Sequence, residues 1–177
     1  MDKKFRQELT DLIEEDSVRN GAWWNPQEFE KAVRSRLPTQ LKIISAPPNP
    51  AGNFNCFVYA LGLEDDPEFL GGRNPIQQKF VKHLLAANVL TVTDAPKVGD
   101  FIFYEDKNGT ITHSGIVQKH EVIHSKWMWG ALFEHDIWDV PSSFGDEVFY
   151  TNLINSAEAK QEYIKYRDSG VEIKPIG

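Results

Sequence analysis

The chain has 177 residues, a formal net charge of -7 and a sequence pI near 5.2. That length suits one domain able to bury most of the apolar surface its unfolded form exposes, and the acidic balance excludes a broad basic face for nucleic-acid phosphates. A single cysteine, Cys56, excludes an internal disulfide and leaves a free thiol.

Residues 4–36 read as two helices. The first carries Phe5, Leu9, Leu12 and Ile13 on one stripe, and the second opens near Asn25-Pro26 and carries Phe29 and Val33. The start, Met1 to Arg6, lacks the apolar run of a signal peptide, and no later stretch is long enough to span a membrane. The expectation is a cytoplasmic chain without membrane insertion, a leaderless secretion route remaining open. Between Arg36 and Phe54, Pro38, Pro47, Pro48, Pro50 and Gly52 break helix and leave room for one short strand at residues 41–44. Asn53 or Asn55 can cap a helix that begins at Cys56 and runs through Phe57, Val58, Ala60 and Leu61 to Gly62.

A further helix is expected to start at Asn74-Pro75 and to repeat Ile76, Phe80 and Leu84 at i, i+4 and i+8. From Val98 the period becomes two. Phe101 and Phe103 alternate before an Asn108-Gly109 turn, and Ile111, His113, Gly115 and Val117 alternate on the return, which predicts an antiparallel hairpin. Strands over residues 121–128, 131–138 and 147–153 complete a small curled antiparallel sheet of about five strands. The charged last residues read as peripheral. The fold class is therefore α+β in a single domain, with a helical layer over 1–45, a core over 46–155 and a peripheral segment over 156–177.

The chemistry centres on Cys56. A thiol at a helix N-terminus beside an imidazole has its pKa lowered from ~8.5, and His113, on a later strand, is the candidate general base. His124 follows His113 by eleven residues, and His135 follows by eleven more. Reversals at Gln118-Lys119 and at Trp129-Gly130 would set the three rings in a row on one sheet face, unless a bulge sends one to the other face. Two uses compete: His113 as the base for Cys56, with a polar neighbour fixing its tautomer, or a three-histidine metal site with an open position. No His-Glu-x-x-His spacing supports the metal, so no metal or cofactor is assigned. His83 and His120 read as solvent-facing, and Lys126 reads as a surface ion-pair partner.

For an oxyanion, the Cys56 backbone N–H is the natural first donor, and Asn53, Asn55 or Gln40 could supply a second, although capping explains the asparagines equally well. Trp23, Trp24, Trp127, Trp129 and Trp138 offer either a cleft for sugars or peptides or the packing of a core and its rim.

The order of these residues resembles the papain-like NlpC-type superfamily of cysteine hydrolases. A cysteine opens a helix, the Gly-Asp-apolar strand Val98-Gly99-Asp100-Phe101-Ile102-Phe103-Tyr104 follows, and His113-Ser114-Gly115-Ile116-Val117 comes next. The resemblance covers roughly residues 51 to 128. Ser125-Lys126-Trp127, Phe133-Glu134-His135 and Val140-Pro141 with Gly145 are similar to a less characterised bacterial branch. The resemblance implies a helix packed on a small antiparallel sheet, with Cys56 as nucleophile, His113 as base and His124 as the orienting residue, and with His135 competing for that third place. It implies cleavage or exchange of an amide bond through an acyl-enzyme: a monomeric peptidase or amidase, with deamidation and transamidation open, acting on peptide, protein or murein. The Asp-Cys-Ser-Gly of the cell-wall enzymes is here Asn55-Cys56-Phe57-Val58. The contrasting class is a non-catalytic binding or interaction module with Cys56 buried.

Overall fold

The computed structural model describes residues 1–71 and 76–170. Helix α1 (Lys3–Glu14) begins where the Asp2 carboxylate accepts from the backbone N–H groups of Lys4 and Phe5, and it buries Leu9, Leu12 and Ile13, as the stripe predicts. A π-helical turn at Val18–Ala22 leads to α2 (Pro26–Ala32), which is capped by Asn25 with proline in its first turn. Helix α3 (Cys56–Ala60) is a short stub, and α4 (Gln78–Ala86) buries Phe80, Val81 and Leu84. The expected α4 start at Asn74-Pro75 lies outside the described residues.

The chain end differs from expectation. The segment read as peripheral forms α5 (Ser156–Asp168), which buries Ala159, Tyr163 and Tyr166. Tyr163 meets the rings of Phe69 and Phe80 edge-on at 5.2 and 5.6 Å.

The sheet is antiparallel and open, and it has seven strands among the described residues rather than about five: β1 (Lys42–Ser45), β2 (Val92–Thr93), β3 (Phe101–Glu105), β4 (Ile111–Lys119), β5 (Val122–Lys126), β6 (Leu132–Asp136) and β7 (Glu147–Thr151), in the order β1-β6-β5-β4-β3-β7-β2. The additional strands are the short edges. β1, expected as an isolated piece, pairs with β6, and the two residues of β2 are too few to show a period.

Helices cover both faces. On β3, Ile102 and Tyr104 enter a core with Leu9, Ile13, Trp23, Phe29 and Phe133 beneath the N-terminal layer. Phe101 and Phe103 enter a second core with Val58, Leu61, Phe80, Leu84 and Tyr163. A strand buried on both faces reads as the continuous apolar run Phe101 to Tyr104. Arg6, buried on α1, ties the first layer down: Nε donates to the carbonyl of Val140 at 3.1 Å, and the other nitrogens donate to the carbonyls of Pro141 and Gly145 and to the Asp146 carboxylate. No helix among the described residues is long and apolar enough to cross a membrane.

Candidate functional site

Cys56 is the first residue of α3, and the Asn55 Oδ1 accepts from the Val58 N–H at 3.0 Å. The Asn55 amide also donates to the Ile76 carbonyl at 2.9 Å, so its nitrogen is committed to structure rather than aimed at an oxyanion. Asn53 Oδ1 accepts from the Phe54 N–H at 2.9 Å. The cap explains why a helix starts here, and α3 packs across β4 and β5.

The residue that meets the thiol is Ser114, whose hydroxyl and backbone face Cys56. Ser114 pairs with Phe103, which belongs to the same core as Cys56. His113 pairs with Tyr104 and stacks on Phe144 at 4.0 Å between ring centroids, both of them first-core residues. Consecutive strand residues point to opposite faces. Cys56 and His113 therefore lie on opposite sides of the sheet, and the expected pair is not brought together. The physical reason is the face that α3 covers: it packs on the side of the sheet that carries Phe101, Phe103 and Ser114, whereas His113, in register with Tyr104, belongs to the other. A bulge between Tyr104 and Glu105, where Glu105 pairs with Ile111, changes only the turn end of β4, so that Ile111 enters the second core while Val117, nominally in phase with it, enters the first.

The row of imidazoles is also absent. β4 and β5 pair Ile116 with His124 and Val117 with Ile123, and a register shift follows before Lys119. The chain therefore reverses later than Gln118-Lys119. β5 and β6 pair His124 with Glu134 and Ile123 with His135, one residue out of step with the expected opposition. His124 lies on the Cys56 side of the sheet, with Nε2 at 2.9 Å from Glu134 Oε2. His113 and His135 lie on the other side. No group of three metal-ligating side chains occurs among the described residues, and the split across the sheet removes the geometry that a three-histidine site needs.

His135 Nδ1 lies 2.8 Å from the Asp136 carbonyl, which can only accept, so the proton sits on Nδ1 and Nε2 accepts from Ser125 Oγ at 2.7 Å. Trp127 Nε1 donates to the same Ser125 oxygen at 3.1 Å. His113 Nε2 is buried with no hydrogen-bond partner among the described residues. Burial, reinforced by His135, pushes the His113 pKa well below its usual value. Burial likewise brings His135 down to about 4.

Cys56 is 5% exposed, and burial pushes its thiol up to about 11 against the weaker opposing pull of Ser114 and the backbone. The helix terminus does not overcome desolvation, and the thiol is protonated at neutral pH. Lys126, expected as a surface ion-pair partner, is instead buried, because α3 and Phe54 close over its face. It sits two positions from His124 and thus on the Cys56 face, only 1% exposed, donating to the Gly130 carbonyl and standing 4.6 Å over the Phe54 ring. Burial brings its pKa down to about 7, with Cys56 pulling the other way. Lys126→Met should stabilise the protein by about 1–3 kcal/mol at pH 7. Between pH 7 and ~10 the unfolded chain binds a proton that the folded chain has released. Wild-type stability therefore climbs toward that of the variant, and urea midpoints of the two proteins across that range should converge.

The aromatic residues divide. Trp23 and Trp127 stack at 6.4 Å within the first core, and Trp23 Nε1 donates to the Trp127 carbonyl at 3.0 Å. Trp138 lies beneath Arg6 at 5.3 Å. Trp24 and Trp129 together line two adjoining cavities of about 350 and 170 Å³, the larger also lined by Arg19 and Met128 and the smaller by Pro50 and Asn53. Cys56 lines neither. In comparisons with known proteins, no family model, no curated protein and no solved structure matches the chain.

Proposed function

We propose that this chain is a non-catalytic binding or interaction module built on a papain-like arrangement, a cysteine-led helix laid on an antiparallel sheet. The observation that carries the reading is the register: His113 shares a face with Tyr104 and Phe144, and Cys56 shares the other with Ser114 and Phe103. A nucleophile needs a base within hydrogen-bond reach and a path for substrate. A sealed thiol raised to about 11 has neither the thiolate nor the opening. Peptide or protein is the partner class, bound away from Cys56, and the module acts as a monomer.

Iodoacetamide labelling of the native protein between pH 6 and 10 tests this. The expected result is negligible modification of Cys56 below pH ~9, immediate modification in urea, and an unchanged native rate in His113→Ala. A native thiol titrating well below ~8.5, with that titration lost in His113→Ala, would overturn the proposal.

One observation favours a second reading as a cysteine amidase. Lys126 is on the Cys56 face and is deprotonated above pH ~7, so it could accept the thiol proton. That reading requires native labelling that rises through pH 7 and disappears in Lys126→Met.

A further inference from the structure

The turn joining β5 to β6 is tied down more firmly than a chain reversal requires. Trp127 N–H donates to the Ala131 carbonyl at 3.1 Å, and Gly130 N–H donates to the Trp127 carbonyl at 2.8 Å. Lys126 and Trp23 hold the carbonyls of Gly130 and Trp127 from beneath. The turn presses so closely on the core that a Cβ at Gly130 would lie 2.2 Å from Trp23 Nε1. Met128 is forced to φ 53°, a left-handed conformation that costs a side chain on the order of 1 kcal/mol. Glycine or asparagine ordinarily occupies such a position. Here the strained residue and its neighbour are instead large and apolar, and they stand out into solvent, Met128 40% and Trp129 39% exposed. The fold holds two hydrophobic side chains off the core, where burial would have been favourable.

They stand over a shaped opening. Across from Trp129, Trp24 is half-buried and fixed by its Nε1 donating to the Arg19 carbonyl at 3.1 Å. The two cavities share both indoles and so adjoin along them, the larger within the volume range of ligand sites. Rigid indoles give contact area with little loss of side-chain entropy. Asn20 lines one part and Asn53 the other, and side-chain amides match backbone C=O and N–H groups.

The charge of the lining is distinctive. In a chain with 26 acidic residues, no carboxylate among the described residues lines either cavity, while Arg19 lines the larger one. Arg19 is exposed and has no carboxylate partner among the described residues.

We infer that the Trp24–Trp129 cleft recognises a short acidic peptide segment, laying an apolar side chain between the two indoles and a carboxylate on Arg19. This rests on the binding-module reading and deepens it. The labelling experiment tests that reading alone, so failure of one can be told from failure of the other. A guanidinium prefers a carboxylate in a planar two-point contact, and an extended backbone suits an open-ended, aromatic-lined groove.

The test titrates the full chain with acetyl-Glu-Pro-Leu-Pro-amide, with its Lys-for-Glu counterpart and with chitotriose, following the indole N–H resonances of Trp24 and Trp129. The acidic peptide should move both resonances saturably and bind at least about fivefold more tightly than the Lys peptide. Trp129→Ala, at an exposed position, should weaken binding about tenfold or more. Arg19→Gln should remove the preference for Glu over Lys while leaving residual binding. No shift at ~5 mM peptide, equal affinity for the two peptides, binding that survives Trp129→Ala, or a response to chitotriose alone would each overturn the assignment.

Discussion

Arg6→Met should destabilise the protein by about 3–5 kcal/mol, the largest effect expected of any single substitution proposed. At this chain length that lowers Tm by roughly 10 °C. The guanidinium is buried and donates to the carbonyls of Val140, Pro141 and Gly145, all themselves buried, while its only ionic partner among the described residues, Asp146, is 67% exposed. Methionine retains the stem and its packing against Trp138 but takes the Arg6 donors away from the Val140 and Gly145 carbonyls and leaves the Pro141 carbonyl with the Phe144 N–H, and each unmade bond to a buried group is costly. The ion pair itself contributes little, because an exposed carboxylate keeps its water. Asp146→Asn should therefore cost under about 1 kcal/mol. Urea unfolding of both variants separates the two contributions. A loss below ~1 kcal/mol in Arg6→Met, or an equal loss in Asp146→Asn, would show that the carbonyl cluster does not fasten the 140–146 segment to α1.

The elements most legible in the sequence are those that local chemistry determines. Asn25-Pro26 opens α2, Asn55 opens the helix at Cys56, and Asp106 Oδ1 accepts from the Asn108 and Thr110 N–H groups in the hairpin turn. Each is a cap or turn that acts within four residues. The candidate site was not legible, because it depends on which sheet face α3 covers and on the register of each later strand, and a shift of one residue reverses the parity of a strand. The bulge at Tyr104/Glu105 separates Ile111 from His113, and the displaced β5–β6 register sends His124 and His135 to opposite faces. No residue type in either stretch marks such a shift.

Lys126 was hidden for a different reason. A lysine on a strand reads as solvated, and its burial follows from α3 and Phe54 closing over that face. Helix α5 is hard to see in the sequence because Ala159, Tyr163 and Tyr166 are set among mostly charged and polar residues, although the spacings of four and three are helical. The cleft joins Trp24 to Trp129 from distant parts of the chain, and only the tertiary structure brings such residues together.

Acidification should act through the imidazoles that left the expected site. His135 is neutral in the folded state down to about pH 4, and His113 is held lower than its usual value by the same burial. In the unfolded chain both bind a proton near pH ~6.5. The sign follows from proton counts. Between pH ~4 and ~6.5 the unfolded chain carries more protons than the folded chain, so stability rises with pH and falls as acid is added. The slope approaches ~1.4 kcal/mol per pH unit for each imidazole, and His135 alone should account for about 2 kcal/mol lost on going from pH 7 to pH 5. His113→Phe isolates the other contribution. Its Nε2 has no hydrogen-bond partner among the described residues to lose, and an aromatic ring preserves the stack on Phe144. The variant should match or exceed wild-type stability at pH 7 and lose stability less steeply toward pH 5. Urea midpoints measured at half-unit intervals would decide this. A flat wild-type profile, or identical slopes in the two proteins, would mean that His113 takes up its proton while folded, which its place beneath Phe144 opposes.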